Sequence, residues 1–395
     1  MNDEQRFLIS LTSDFINNHK AEYDSGIDFD SLMNTAGVHN LFAVAYCALK
    51  SGEKNKAEIS QKLRGYENRF LDIVFMSNTQ MQTLEELKLL LSRSEIRFVL
   101  FKGAVLRFLY PIPESRIMGD IDVLIDSKNR ETVKKILESN GYTCKNSNGP
   151  VWDYEKNGVL FEIHTNLLNG KAGATDEINK YFANAINDAE YSGYEGALPC
   201  QLHFEYLIAH TASHFSSYGA GIKHILDLAV MFKSYNLDCS SVIANLEKVG
   251  LGRFAKELIT VCKKWYGFGT DFGYETTKTE DLIANNGVFG NSDKEMSTVL
   301  IERNNMENGH FGKSLSQRFH LLFPPYKKMR TLSYIKFIDN RPYLTPVAWI
   351  YRLFYNLKHK NMRKKMMTKV KEIGDSSVRD KALQEYDYFK EIGLI

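Results

Sequence analysis

Apolar residues in the first 95 positions recur at helical rather than strand spacing. The clearest stretch is 67–92, where Phe70, Val74, Met81, Leu84, Leu87 and Leu91 fall near a helical period with no Gly or Pro between them. A long amphipathic helix is predicted there. The texture changes at residue 96. IRFVLFKG is a short apolar, β-branched run ended by glycine, the pattern of a buried strand. AVLRFLY reads as one or two helical turns, closed by the breakers in PIPES. GDIDVLI is a second strand, and SKNRETVKKILESNGY a helix with Ser127 as N-cap and Gly141 as its stop. Two further strands are expected at about 150–155 and 159–165. This alternation predicts a small α/β unit.

From about residue 198 the helical period returns. LHFEYLIAHTASHF and KHILDLAVMFKSY, joined by a glycine-bearing turn, predict two helices packed on each other. The stretch 268–313 is polar and weakly periodic, and is expected to form loops with short helices. Between Arg341 and Lys371 there are nine Lys or Arg and no acid, while Val347, Ile350, Phe354 and Leu357 form a helical seam. That is a basic amphipathic helix. The favoured expectation packs its seam on the protein's own body. Contact with an anionic membrane surface or a nucleic acid is the alternative. The expected segments are 1–95 (helical), 96–195 (catalytic core), 196–270 (helical, packed on the core) and 271–395 (loop-rich, with the basic helix).

Composition narrows the picture only a little. With 44% hydrophobic and 25% charged residues, the 395-residue chain is that of an ordinary globular protein. A net charge of +2 gives no global reason to expect nucleic acid. The five cysteines (Cys47, Cys144, Cys200, Cys239, Cys262) lack C-x-x-C spacing, so neither a disulfide framework nor a cysteine zinc site is expected and a reducing cytoplasm fits. The opening MNDEQRFLIS does not read as a signal peptide, and no run approaches a membrane span.

The candidate chemistry lies in two strands. In GDIDVLI, alternation puts Asp120 and Asp122 on one face and Ile121 and Val123 on the other. Two carboxylates one strand repeat apart can hold a hard divalent cation, or bridge two, as phosphoryl transfer requires. FEIHTNL repeats the pattern with Glu162 and His164. Glu162 is a candidate third carboxylate or general base, and His164 a further ligand, proton shuttle or orienting group. A lone D-x-D occurs by chance in loops. An apolar strand setting after a Lys-Gly turn, followed by an acid–His strand, is harder to obtain from a solvated face. Lys102 and Gly103 are candidates for phosphate, Lys102 by charge and Gly103 by letting the backbone approach. Arg116 either touches phosphate or pairs with Asp120 or Glu114.

These residues together carry a resemblance. FKGAVLRFLYPIPESRIMGDIDVLI, the helix ending in NGY, and FEIHTNL resemble the uncharacterised nucleotidyltransferase family of the polymerase-β-like superfamily. AHTASHF, IKHILDLAVMF and RPYLTPVAWIYRLF are similar to its downstream segments, so the likeness spans roughly 95–355. It implies an α+β fold whose core is a small mixed sheet flanked by helices, with mainly helical N- and C-terminal regions. It also implies Mg²⁺ or Mn²⁺ at Asp120 and Asp122, Glu162 as third acid, and an NTP as donor. The wider superfamily's turn is Gly-Gly or Gly-Ser, whereas Ala104 follows Gly103 here, so phosphate is expected to be held differently, by Lys102 and backbone N–H groups. Two other readings stay open: a D-x-D glycosyltransferase using a sugar nucleotide, and a non-catalytic nucleotide-binding module.

Weaker candidates follow. His203, His210 and His214 share a helical face but lack the glutamate of H-E-x-x-H, and are expected as buried or interface histidines. Lys223 and Asp227, four residues apart, are expected to bridge each other, Asp227 lying within an apolar run.

Overall fold

The structure, a computed structural model, describes residues 1–52, 56–168, 175–217, 219–287, 323–329, 333–338, 341–359 and 376–394. Five helices come first: α1 (Asp3–Asn17), α2 (Phe29–Val38), α3 (Phe42–Ser51), α4 (Lys56–Arg64) and α5 (Glu67–Arg93). The start of α1 is fixed by a reciprocal cap in which Asn2 accepts from the Gln5 N–H and Gln5 accepts from the Asn2 N–H. The predicted long helix is α5. Its C-terminal half buries Leu84, Leu87 and Leu91 against the sheet, while Phe70 stacks on Tyr46 of α3 at 4.3 Å.

The sheet comprises β1 (Phe98–Leu100), β2 (Asp120–Ile125), β3 (Thr143–Asn146), β4 (Val151–Lys156), β5 (Val159–His164), β6 (Glu190–Ser192) and β7 (Glu195–Ala197). Their order is β3-β4-β5-β2-β1-β7-β6. The sheet is mixed, as the resemblance implied: β2 runs parallel to β5 and β1 to β7, and the other pairs are antiparallel. Helix α6 (Gly103–Leu106) follows β1, and α7 (Arg130–Ser139) follows β2. Phe98, Ile121, Val123, Phe161 and Ile163 form one buried face with α5 and with Val133 and Leu137 of α7.

One local expectation is corrected. Ser127 does not cap α7. It opens a 3-10 turn, Ser127–Asn129, capped by Asp126, whose carboxylate accepts from the Lys128 N–H at 3.0 Å. The turn satisfies the orphan donors first, so α7 begins only at Arg130. Gly141 ends the helix as expected, with φ +83°.

After α8 (Thr175–Phe182) and α9 (Ala185–Asp188) the chain is helical again: α10 (Cys200–Ser217), α11 (Ile222–Ser234), α12 (Cys239–Lys248), α13 (Gly252–Tyr266) and α14 (Thr277–Asn286). Met1–Gly290 with Ile392–Ile395 forms one compact unit and Asn291–Glu391 another. In the second unit the helix Thr345–Lys358 packs Ala348 on Met329, Ile335 and Ile338, and Trp349 Nε1 donates to the Pro324 carbonyl at 2.7 Å. Within that unit the predicted seam faces outward. Val347, Ile350, Phe354 and Leu357 are each more than half exposed, because the smaller Ala348 and Thr345 occupy the inner face. Residues 288–313 of the polar stretch and 360–371 of the basic stretch lie outside the described residues. Among the described residues no helix is long and apolar enough to cross a membrane.

Candidate active site

Strand alternation sets the site. Ile121 and Val123 are fully buried in the core, so Asp120 and Asp122 face the other way. The β2–β5 register pairs Asp122 with Glu162, and neighbouring residues of parallel strands share a face. His164 stands two positions further on that face. Asp122 Oδ1 accepts from Lys102 Nζ at 2.7 Å and from His164 Nε2 at 3.0 Å, and His164 Nε2 also lies 3.3 Å from Glu162 Oε2. Asp122, Glu162 and His164 each offer a ligand atom within 4.8 Å of the others, the one such group among the described residues. Asp120 is outside that group. It lines the same cavity, of about 290 Å³, one strand repeat away.

The electrostatics are uneven. Burial alone would raise the Asp122 pKa, but Lys102 and His164 outweigh it and hold the carboxyl at about 2. Asp120 is pushed up to about 6, by burial first and then by the charges of Asp122 and Glu162. Burial disfavours the His164 cation, yet its hydrogen bonds to Asp122 and Glu162 win and raise its pKa. Around the cavity, Lys102 lies on Asp122 and Arg116 on Asp227, while Glu162 has His164 beside it and Asp120 feels Lys102 and Lys223 only through space. The balance favours a cation at the carboxylates.

Lys102 sits at φ +49°, ψ −125°, a conformation suited to glycine, with its N–H donating to His203 Nε2 at 3.1 Å. Its ammonium lies on Asp122 and not in open space. Gly103 lines the cavity, and its lack of a side chain also serves packing: a Cβ would lie 2.7 Å from Arg116 Nη1 and 2.8 Å from Met118 Sδ.

Arg116 pairs with neither Asp120 nor Glu114. Its Nε and Nη2 donate to Asp227 Oδ1 and Oδ2, both at 2.8 Å, and the Tyr110 hydroxyl donates to Oδ1 at 2.7 Å. Lys223 does not bridge Asp227; its Nζ donates to the Ile117 carbonyl at 3.0 Å. Both residues of α11 thereby hold the loop that leads into β2. Burial, then Arg116, lowers the Lys223 pKa to about 8.

The histidines divide. His203 supports Lys102, whereas His210 and His214 line the cavity beside His224, with ring centroids 4.4 and 5.5 Å apart in that order. Burial keeps all three neutral: His210 is pushed well below its usual value, His214 to about 4 and His224 to about 3. His224, adjacent to Lys223, was not singled out by the sequence pattern. Its signal is a histidine within an otherwise apolar helix face.

No curated protein and no solved structure matches the chain. A family model described as an uncharacterised nucleotidyltransferase matches residues 25–267, more than half of the chain, and the chain belongs to that family.

Proposed function

We propose that this chain is a metal-dependent nucleotidyltransferase that moves a nucleoside monophosphate from an NTP to an acceptor hydroxyl and releases pyrophosphate. The observation that carries this reading is the β2–β5 register, which sets Asp122 beside Glu162 with Asp120 on the same face and Lys102 against Asp122. The donors are carboxylate oxygens and one imidazole nitrogen, a set suited to Mg²⁺ or Mn²⁺. Asp120, Asp122 and Glu162 would hold the ion, with His164 within reach. When bound, it supplies Lewis acidity at the transferring phosphoryl group and offsets charge on the leaving pyrophosphate.

The chain's own residues do the remainder. Asp122 stays ionised across the working pH range because Lys102 and His164 outweigh its burial. Glu162, with its side chain 28% exposed, accepts the proton of the attacking hydroxyl at a carboxylate oxygen. Lys102, Lys223 and backbone N–H groups at Gly103 receive the triphosphate, with Arg116 held behind them by Asp227. The glycosyltransferase reading needs a larger upstream nucleotide-binding α/β domain, and the described residues before β1 are helices. The test is transfer of label from α-labelled NTPs into hydroxyl-bearing acceptors of a cell extract. Metal-dependent transfer that disappears in Asp122→Asn supports the proposal. Turnover of a UDP-sugar without NTP transfer overturns it.

A further inference from the structure

The cavity has two chemically different walls. The sheet side carries Asp120, Asp122 and Glu162, with Lys102 just after β1. The helical side presents His210 and His214 of α10, His224 of α11, and Asn40 from the turn between α2 and α3. Burial holds the three imidazoles uncharged. Lys223, the neighbouring cation, turns its ammonium to the Ile117 carbonyl.

Asn40 is placed by the residue before it. His39 Nδ1 accepts from the Ile222 N–H at 3.2 Å and its Nε2 donates to the Ala284 carbonyl at 3.1 Å, which clamps the turn to the start of α11 and to α14. His224 is tied to Gly221 through Nδ1. Among the described residues no hydrogen bond engages the side chains of Asn40, His210 or His214. Their donors and acceptors are open to whatever fills the cavity.

A nucleoside triphosphate divides in the same way. Its phosphates and metal suit the charged wall, and its base is a neutral, planar ring with donors and acceptors along its edges. Uncharged imidazoles give such a ring an aromatic surface, and a carboxamide offers a coplanar donor and acceptor to a base edge. An anionic acceptor group would call for cations at this wall, and the wall is neutral.

We infer that Asn40, His210, His214 and His224 form a nucleobase subsite in this cavity, with Asn40 and His214 reading the base edge. The inference rests on the nucleotidyl-transfer reading and adds to it the residues that choose among nucleotides.

The experiment is calorimetric titration of the full chain in Ca²⁺ with each of the four NTPs and with inorganic tripolyphosphate, which carries the phosphates without a base. Asn40→Gly and His214→Ala are the comparisons, their fold checked by circular dichroism. Asn40 has φ +57°, so glycine keeps the turn and removes only the carboxamide. One NTP is expected to bind about tenfold or more tighter than tripolyphosphate and than the weakest NTP. Both variants should lose about tenfold for that NTP and bind tripolyphosphate as the wild type does. A wild type that binds the four NTPs alike, or none more tightly than tripolyphosphate, overturns the subsite. So does a variant that weakens tripolyphosphate as much as the NTP. Wild-type affinity for every NTP in either variant also overturns it, and assigns that wall to the acceptor. Absence of binding by NTPs and tripolyphosphate alike overturns the nucleotidyl-transfer reading itself, and the subsite with it.

Discussion

Asp227→Ala isolates what holds the cationic wall of the cavity. The Arg116 and Asp227 side chains are 5% and 10% exposed, and both oxygens of Asp227 are engaged by one guanidinium. Removing Asp227 leaves that guanidinium buried without a counter-charge, which costs about 3–5 kcal/mol. The Tyr110 hydroxyl loses its acceptor at the same time, a further cost of about 1 kcal/mol that is not additive, because one local relaxation relieves both. We expect about 4 kcal/mol for Asp227→Ala and about 1 kcal/mol for Tyr110→Phe, which keeps the ion pair. An apolar exchange of both partners, Arg116→Met/Asp227→Leu, should recover much of the loss. Urea unfolding followed by circular dichroism measures all three. A loss below about 1 kcal/mol in Asp227→Ala would refute the reasoning, since Arg116 would then have water or another acceptor within reach.

Other expectations follow from the same geometry. Acid should destabilise the fold through His39 and His203, whose pKa values burial lowers to about 4. His39 Nδ1 accepts from the Ile222 N–H and His203 Nε2 from the Lys102 N–H, so protonation breaks both bonds. The unfolded chain binds these protons near pH 6.5 and the folded chain only near 4. Stability is therefore fully present above about 6.5 and lost as pH falls through that window, by about 2 kcal/mol per histidine at about pH 5. Equal unfolding midpoints at neutral pH and at about pH 5 would contradict this. Gly103→Ala should cost about 1–3 kcal/mol, because its methyl meets the Arg116 guanidinium, itself pinned by Asp227; an unchanged melting temperature would show that the loop yields. Lys102→Met should weaken metal-dependent NTP binding by about tenfold or more, measured by calorimetry; wild-type affinity would remove Lys102 from the phosphate site.

The carboxylate strands were legible because their signal is local. Asp120 and Asp122 alternate with Ile121 and Val123 on β2, Glu162 and His164 with Phe161 and Ile163 on β5, and two-residue alternation is preserved in the fold. Strands β3, β6 and β7 were missed for a physical reason. The last two have three residues each, and Thr143–Asn146 is short and mostly polar with Thr143 and Lys145 exposed, so their pairing rests on the sheet edge and not on their own pattern. The Arg116–Asp227 pair was illegible because its partners are 111 residues apart. Lys223 and Asp227 read as an i,i+4 bridge, yet each is engaged by the loop before β2, Lys223 by the Ile117 carbonyl and Asp227 by Arg116. For the basic helix, periodicity reveals that a helix has an apolar face, but not which face turns inward within its own unit.

The central claim is that Asp120, Asp122 and Glu162 bind a nucleotide through a divalent ion. Calorimetric titration with each of the four NTPs, in Mg²⁺ or Ca²⁺, with Asp120→Asn and Asp122→Asn as controls, tests it most directly. The account predicts metal-dependent binding of at least one NTP that both substitutions abolish while both variants remain folded at the assay temperature. Binding that is indifferent to metal and to both substitutions would contradict it, as would no binding of any NTP.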